Sequence, residues 1–190
     1  YEMRCRLVGS EMYIRDRVTD NPAWLASVKT WLQSAHQQLP LLGICFGHQL
    51  LAATLGGEAG IHPSGPEVGS FAVALTAEGQ ADRLLGALPS TFTAHLTHHQ
   101  SALRLPPAAK VLATNSHEPH QAFRLGQCTW GVQFHPEFNE AVIAEYIEAQ
   151  RGVLAEHKVD ADILLGGIQA SPAGKLLAGF YELCASGTEP

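Results

Sequence analysis

The sequence predicts an α/β fold: a three-layer α/β/α sandwich whose mostly parallel sheet carries antiparallel edge strands. Three observations point that way. The run "LPLLGIC", bounded by Pro40 and Gly43, is short and continuously apolar, as in a parallel strand covered on both faces. It passes straight into "GHQLLAATLGG", a helix stopped by Gly56 and Gly57. "KVLATNS", "HQAFRLG" and "CTWGVQF" then follow in quick succession with short turns, which suits an antiparallel meander set among βα units.

Taken in order, the first eight residues, "YEMRCRLV", alternate Met3, Cys5 and Leu7 with Arg4, Arg6 and Val8. They read as a half-exposed strand ending at Gly9, and the two arginines argue against a central position. Pro22 stands where a helix can begin, and Trp24, Leu25, Val28, Trp31 and Leu32 recur at helical spacing to about Gln37. That helix is expected to cover the sheet, with both tryptophans in the core. In "EVGSFAVALT", Phe71, Val73 and Leu75 alternate with smaller or more polar residues, giving a strand with one solvated face. "STFTAHLTHH" is a further strand that ends in a histidine cluster. Residues 139–151 and 172–184 read as closing helices, and Asp160 and Asp162 as acids at a helix start. No repeat, low-complexity tract or linker divides the 190 residues, so one domain over 1–190 is expected.

Composition narrows the function. Hydrophobic residues make up 46% and charged residues 16%, a folding chain rather than a disordered one. Twelve Lys and Arg against eighteen Asp and Glu give a net charge of -6 at pH 7 with no basic cluster, so nucleic acid is not an expected partner. Cys5, Cys45, Cys128 and Cys184 are far apart and form no C-x-x-C pair, which favours a reducing, cytoplasmic setting. No apolar run approaches the roughly 18 to 20 residues that span a bilayer, so no membrane is expected. The first residue is Tyr1, and the sequence is expected to begin inside a longer natural chain.

The chemistry gathers at two places. Gly43-Ile44-Cys45-Phe46-Gly47 takes a strand into a helix through a tight bend, the form of a nucleophile elbow with cysteine in place of serine. The helix start places unpaired N–H groups and the positive end of the dipole beside the sulfur, which favours a thiolate. The Phe46 N–H is placed to donate to an oxyanion. Flanking glycines around one of four cysteines arise by chance in roughly 4 of 100 chains of this composition, so the elbow needs support. A small buried cysteine at a βα corner is the plainer explanation. Support comes from "WGVQFHPEF", a strand that stops at Pro136 with His135 and Glu137 at its exit. A cysteine nucleophile needs an imidazole to move its proton, and the imidazole needs a carboxylate to fix its tautomer.

These residues resemble the class I glutamine amidotransferases. "GICFGHQLLAATLGG" is similar to that family's nucleophile block and "WGVQFHPEF" to its His-Pro-Glu block, while "PEVGSFAVALT" and "HLTHHQSALRLP" resemble the intervening segments. The likeness runs from about residue 9 to 150, closest to stand-alone proteins similar to the amidotransferase domain of GMP synthase. It implies a flavodoxin-like fold with Cys45 as nucleophile, His135 as general base and acid, and Glu137 as orienting carboxylate. It further implies an oxyanion hole from the backbone of Phe46 and Gly9, and substrate contacts from Gln49, Thr97 and His98. Glutamine is the implied substrate, a γ-glutamyl thioester the intermediate and ammonia the product. No metal or cofactor is implied, and a synthase or acceptor subunit is the implied partner.

The family begins with a strand, helix and further strand before the position of Gly9. Here only "YEMRCRLV" stands there, so the chain is expected to lack that N-terminal unit. A γ-glutamyl peptidase or hydrolase shares the same triad, and a catalytically silent regulatory or binding subunit is a third reading. His95, His98, His99, His117 and His120 invite a zinc site, yet neither a Cys pair nor H-E-x-x-H accompanies them. His117-Glu118-Pro119-His120 reads as a solvated turn.

Overall fold

The computed structural model of the chain describes residues 6–8 and 23–186. Three parallel strands sit together: β1 (Arg6–Val8), β2 (Leu41–Ile44) and β9 (Thr129–Val132), with β2 between the other two. Residues 1–5 of the expected first strand, and Gly9 at its end, lie outside the described residues. All four residues of β2 are buried, as a doubly covered parallel strand requires. Leu42 and Ile44 belong to one apolar cluster with Trp130, Val132, Leu176 and Phe180. Leu41 joins the opposite cluster with Leu25, Leu32, Leu50 and Phe123. The first cluster takes in α7 (Lys175–Ala185), and the second takes in α1 (Ala23–Ala35) and α2 (Phe46–Thr54). Helices therefore cover both faces of the sheet, and the α/β sandwich stands.

The balance of the sheet differs from the expectation. Among the described residues four more strands belong to it, β4 (Glu67–Leu75), β5 (Thr91–His98), β7 (Lys110–Thr114) and β8 (Ala122–Leu125). The seven run in the order β1-β2-β9-β8-β7-β4-β5. Among the described residues two pairings are parallel and the four from β9 to β5 are antiparallel. Connection length explains the meander: short turns join β7, β8 and β9, and a parallel pairing needs a crossover of a dozen residues or more. Beside the sheet lies a separate two-stranded ribbon, β3 (Glu58–Ile61) with β6 (Gln100–Arg104), that the sequence does not signal. β3 has one buried residue among four, too weak an apolar pattern to stand out.

Toward the C-terminus, α4 (Glu140–Ala149), α5 (Arg151–Glu156) and α6 (Ala161–Gly166) pack on β4 through Val68, Ile143, Ile147, Leu154 and Ala161. Asp160 caps α6, its carboxylate accepting from the Asp162 N–H at 2.8 Å. Trp24 and Trp31 correct the expected core: they are 49% and 36% exposed, while Leu25 and Leu32 beside them are wholly buried. On a helix the buried stripe is narrow, and the four positions cannot all face the sheet.

Candidate active site

β2 and β9 lie side by side in register, Ile44 opposite Val132, so whatever follows either strand meets the other's exit. The Cys45 backbone N–H donates to the Val132 carbonyl at 2.9 Å, which ties the bend to β9. Cys45 then takes a φ of 49° and ψ of -102°, outside the ordinary regions for a side chain with Cβ. Gly43 makes the bend feasible, since a Cβ there would lie 2.5 Å from the Gly47 carbonyl oxygen and 2.6 Å from the Leu51 side chain. Phe46 opens α2, so its N–H has no carbonyl within the helix to serve.

Beyond β9 the chain carries His135 into the interior, fully buried, with its backbone N–H donating to the His95 carbonyl at 2.9 Å. Nδ1 of His135 is 2.8 Å from Glu137 Oε1. The ring stacks on Phe138, centroids 4.1 Å apart and 16° from parallel, and Phe138 stacks on Tyr146 of α4. Burial pushes the His135 imidazole toward its neutral form. The charge and hydrogen bonding of Cys45, followed by those of Glu137, outweigh this and raise it from 6.5 to about 9. Cys45, His135 and Glu137 thus meet at the exits of β2 and β9. Sequence reasoning misses Phe138 and Tyr146, because nothing at helical or strand spacing marks a stack that forms only on folding.

Other predicted residues also converge. The Cys45 sulfur is 3.9 Å from the Thr97 carbonyl oxygen, at the end of β5. Gln49, one turn into α2, donates from Nε2 to the Gln100 carbonyl at 2.7 Å and to Gln133 Oε1 at 3.1 Å. The Thr97 hydroxyl accepts from Gln150 Nε2 at 2.8 Å. His98 turns away into a buried network: Nδ1 is 3.0 Å from the Gln100 carbonyl and Nε2 is 3.0 Å from Glu67 Oε2. Asn115 and Gln121 donate to the same Glu67 carboxylate. Burial opposes the charge on Glu67, but the hydrogen bond and charge of His98, with the Asn115 bond, hold the carboxyl below its ordinary value.

The histidine-rich turn is solvated only in part: Pro119 is exposed and His117 and His120 are half-buried, but the acid between them is not. Glu118 is fully buried, hydrogen-bonded by the Ser101 hydroxyl and, at 2.7 Å, by the His120 backbone N–H. Burial raises its carboxyl from 4.5 to about 7. The carboxylate and its partners come from separate strands and turns, so their meeting cannot be read from the tetrapeptide. Among the described residues, no group of three or more His, Cys, Asp or Glu is arranged to hold a metal ion. No helix among them is long and apolar enough to cross a membrane.

The sequence profile of the class I glutamine amidotransferases matches residues 20–150, which include both the elbow and the His135 turn. The chain belongs to the class I glutamine amidotransferase family. Among the curated relatives of the chain is glutamine-hydrolysing GMP synthase of Aeropyrum pernix, 47% identical over 98 residues, covering 52% of the chain and 18% of the relative. A protein named as one subunit of glutamine-hydrolysing GMP synthase, from Ignicoccus hospitalis, is 44% identical over 99 residues, covering 52% and 50%. Gamma-glutamyl peptidase 3 of Arabidopsis thaliana is 27% identical over 118 residues, covering 60% and 47%. The aligned segments span half the length of these relatives or less. In fold the chain is similar to a glutamine amidotransferase of Thermotoga maritima, with a TM-score of 0.69 at 24% identity, covering 90% of this chain and 74% of that one.

Proposed function

We propose that the chain hydrolyses the side-chain amide of glutamine through a γ-glutamyl thioester on Cys45. The observation that carries this reading is the meeting of a strained elbow cysteine with a buried imidazole whose far nitrogen is held by a carboxylate. The Cys45 sulfur attacks the carboxamide carbon, and the C=O electrons move onto oxygen. The Phe46 N–H receives that oxyanion, and Gly9 is the proposed second donor. His135 gives its proton to the departing nitrogen, so that the C–N bond breaks and ammonia leaves. Water then attacks the thioester, His135 takes its proton, and glutamate departs as the sulfur is restored. Glu137 keeps the ring turned with its other nitrogen toward the sulfur.

At the amino-acid end of the substrate, both Gln49 donors are engaged internally, so its Oε1 is the atom that would accept from the ammonium group. Thr97 presents its carbonyl. His98, its ring engaged by Gln100 and Glu67, contributes through its backbone. We infer that the ammonia passes to an acceptor on a synthase partner, by likeness to the relative named as one subunit of a GMP synthase. A reducing compartment such as the cytoplasm is the proposed setting, from the wide spacing of Cys5, Cys45, Cys128 and Cys184 along the sequence.

The similarity to a γ-glutamyl peptidase supports a second reading, in which the leaving amine is larger than ammonia. Ammonia release from glutamine, compared with cleavage of γ-glutamyl dipeptides by the same preparation, separates the two. Cys45→Ser and Cys45→Ala are expected to lower glutamine hydrolysis by about three orders of magnitude or more with little change in melting temperature. Hydrolysis retained in either variant would overturn the reading.

A further inference from the structure

We propose that Gln133 donates a hydrogen bond to the Cys45 sulfur and stabilises its thiolate, with the direction of its amide dictated by Gln49. This rests on Cys45 being the nucleophile. Gln133 follows β9, is wholly buried, and points Nε2 at the sulfur from 3.6 Å. Its backbone is pinned, the N–H donating to the Gln121 carbonyl at 2.8 Å.

An amide has a donor end and an acceptor end, so the direction of each must be argued from its partners. The Gln100 carbonyl can only accept, and it lies 2.7 Å from the Gln49 side chain. The nitrogen of Gln49 must therefore face it. The second hydrogen on that nitrogen points at Gln133, 3.1 Å away, so the end of Gln133 nearest Gln49 must be its oxygen. The end left for Cys45 is the donor. A single backbone carbonyl on β6 thus orients two side chains in series and delivers an N–H to the reacting sulfur.

The sulfur needs such a donor. Cys45 is 3% exposed, so little water reaches a charge formed there. On another side the Thr97 carbonyl, at 3.9 Å, can accept from the thiol but repels the thiolate. A hydrogen bond to the charged sulfur is stronger than one to the neutral thiol. Gln133 therefore biases the pair toward the attacking form from a direction separate from His135.

The test follows thiolate formation by its ultraviolet absorbance during a pH titration, corrected with Cys45→Ser, in the full chain and in Gln133→Met, Gln133→Glu and Gln49→Met. Thiolate at Cys45 is expected to form about one pH unit higher in Gln133→Met. The midpoint should lie higher still in Gln133→Glu, which keeps the shape and adds a like charge, and should move up by less in Gln49→Met. In Gln133→Met, kcat for glutamine is expected to fall about tenfold at neutral pH with KM nearly unchanged, and to recover as the pH is raised. If Gln133→Met does not fold, Gln133→Leu, which also removes the donor without adding a charge, decides. Ionisation of Cys45 at the unaltered pH in a folded Gln133 variant overturns the proposal. The titration needs no substrate, so it stands apart from the Cys45→Ser activity test of the proposed reaction.

Discussion

Cys45 and His135 are each held in a state that an isolated side chain would avoid. A φ of 49° costs a residue with Cβ on the order of 1 to 3 kcal/mol, and it persists because β9 and the start of α2 fix the backbone on both sides. His135 is raised from 6.5 to about 9 despite complete burial, because Cys45 and Glu137 favour its charged form. The ring is thus protonated at neutral pH and loses its proton as pH rises through about 9. It then has none to give to the leaving ammonia. The pH profile of kcat/KM with glutamine is expected to fall above about pH 9. Glu137→Gln keeps an acceptor for His135 Nδ1 but removes the charge that helps raise it, so that limb should move to lower pH. The rate should drop about 10- to 100-fold, less than the thousandfold or so expected of His135→Ala. An alkaline limb that stays in place in Glu137→Gln would show that the carboxylate does not act through the ring.

Among the helices and strands, the elbow between β2 and α2 is legible in the sequence because glycines mark both the close approach and the turn. A Cβ on Gly43 would meet backbone atoms of Gly47 at 2.5 and 2.6 Å, and backbone in a helix start has no room to yield. Gly43→Ala is expected to cost about 3 kcal/mol or more in denaturant unfolding. Gly152→Ala, in α5 with nothing within 4 Å of its Cβ, should be neutral or stabilising by about 0.5 to 1 kcal/mol. Equal effects would remove the steric account of the bend. The strands of the meander are also recognisable, because short turns between β7, β8 and β9 leave antiparallel pairing as the natural outcome. The β3 ribbon is not, since Glu58, Ala59 and Ile61 carry no apolar alternation. Nor is the exposure of Trp24 and Trp31, because helical spacing gives the width of a stripe and not which of two adjacent rows meets the sheet.

Across the molecule, buried carboxylates lie in polar networks drawn from several strands and turns, Glu67 and Glu118 among them. Glu67 is paired with His98, Asn115 and Gln121 and stays charged. Glu118, with Ser101 and the His120 backbone, is raised from 4.5 to about 7 by burial. The folded state then binds more protons than the unfolded state between about pH 4.5 and 7, so this group lowers stability as pH rises across that window and no further above it. Glu118→Gln removes the titration. Unfolding free energy measured against pH should fall less steeply from about 4.5 to 7, with a gain on the order of 1 to 3 kcal/mol above about pH 7. An unchanged slope would mean that Glu118 ionises in the fold as it does in the unfolded chain.

The class of fold, the elbow, the His135 exit and the family resemblance are all present in the bare order of residues. Each is written in local spacing: apolar runs, glycines around a thiol, a proline ending a strand. What those pieces meet is a matter of tertiary structure alone. The register of β2 against β9 brings Cys45 to Gln133, 88 residues onward, and to His135 just beyond it. The Gln100 carbonyl orients two amides, and the interior seals Glu118 where the tetrapeptide looks wet. Those are contacts between distant segments, fixed by which strand lies beside which and by the exclusion of water between them, and no local pattern encodes either.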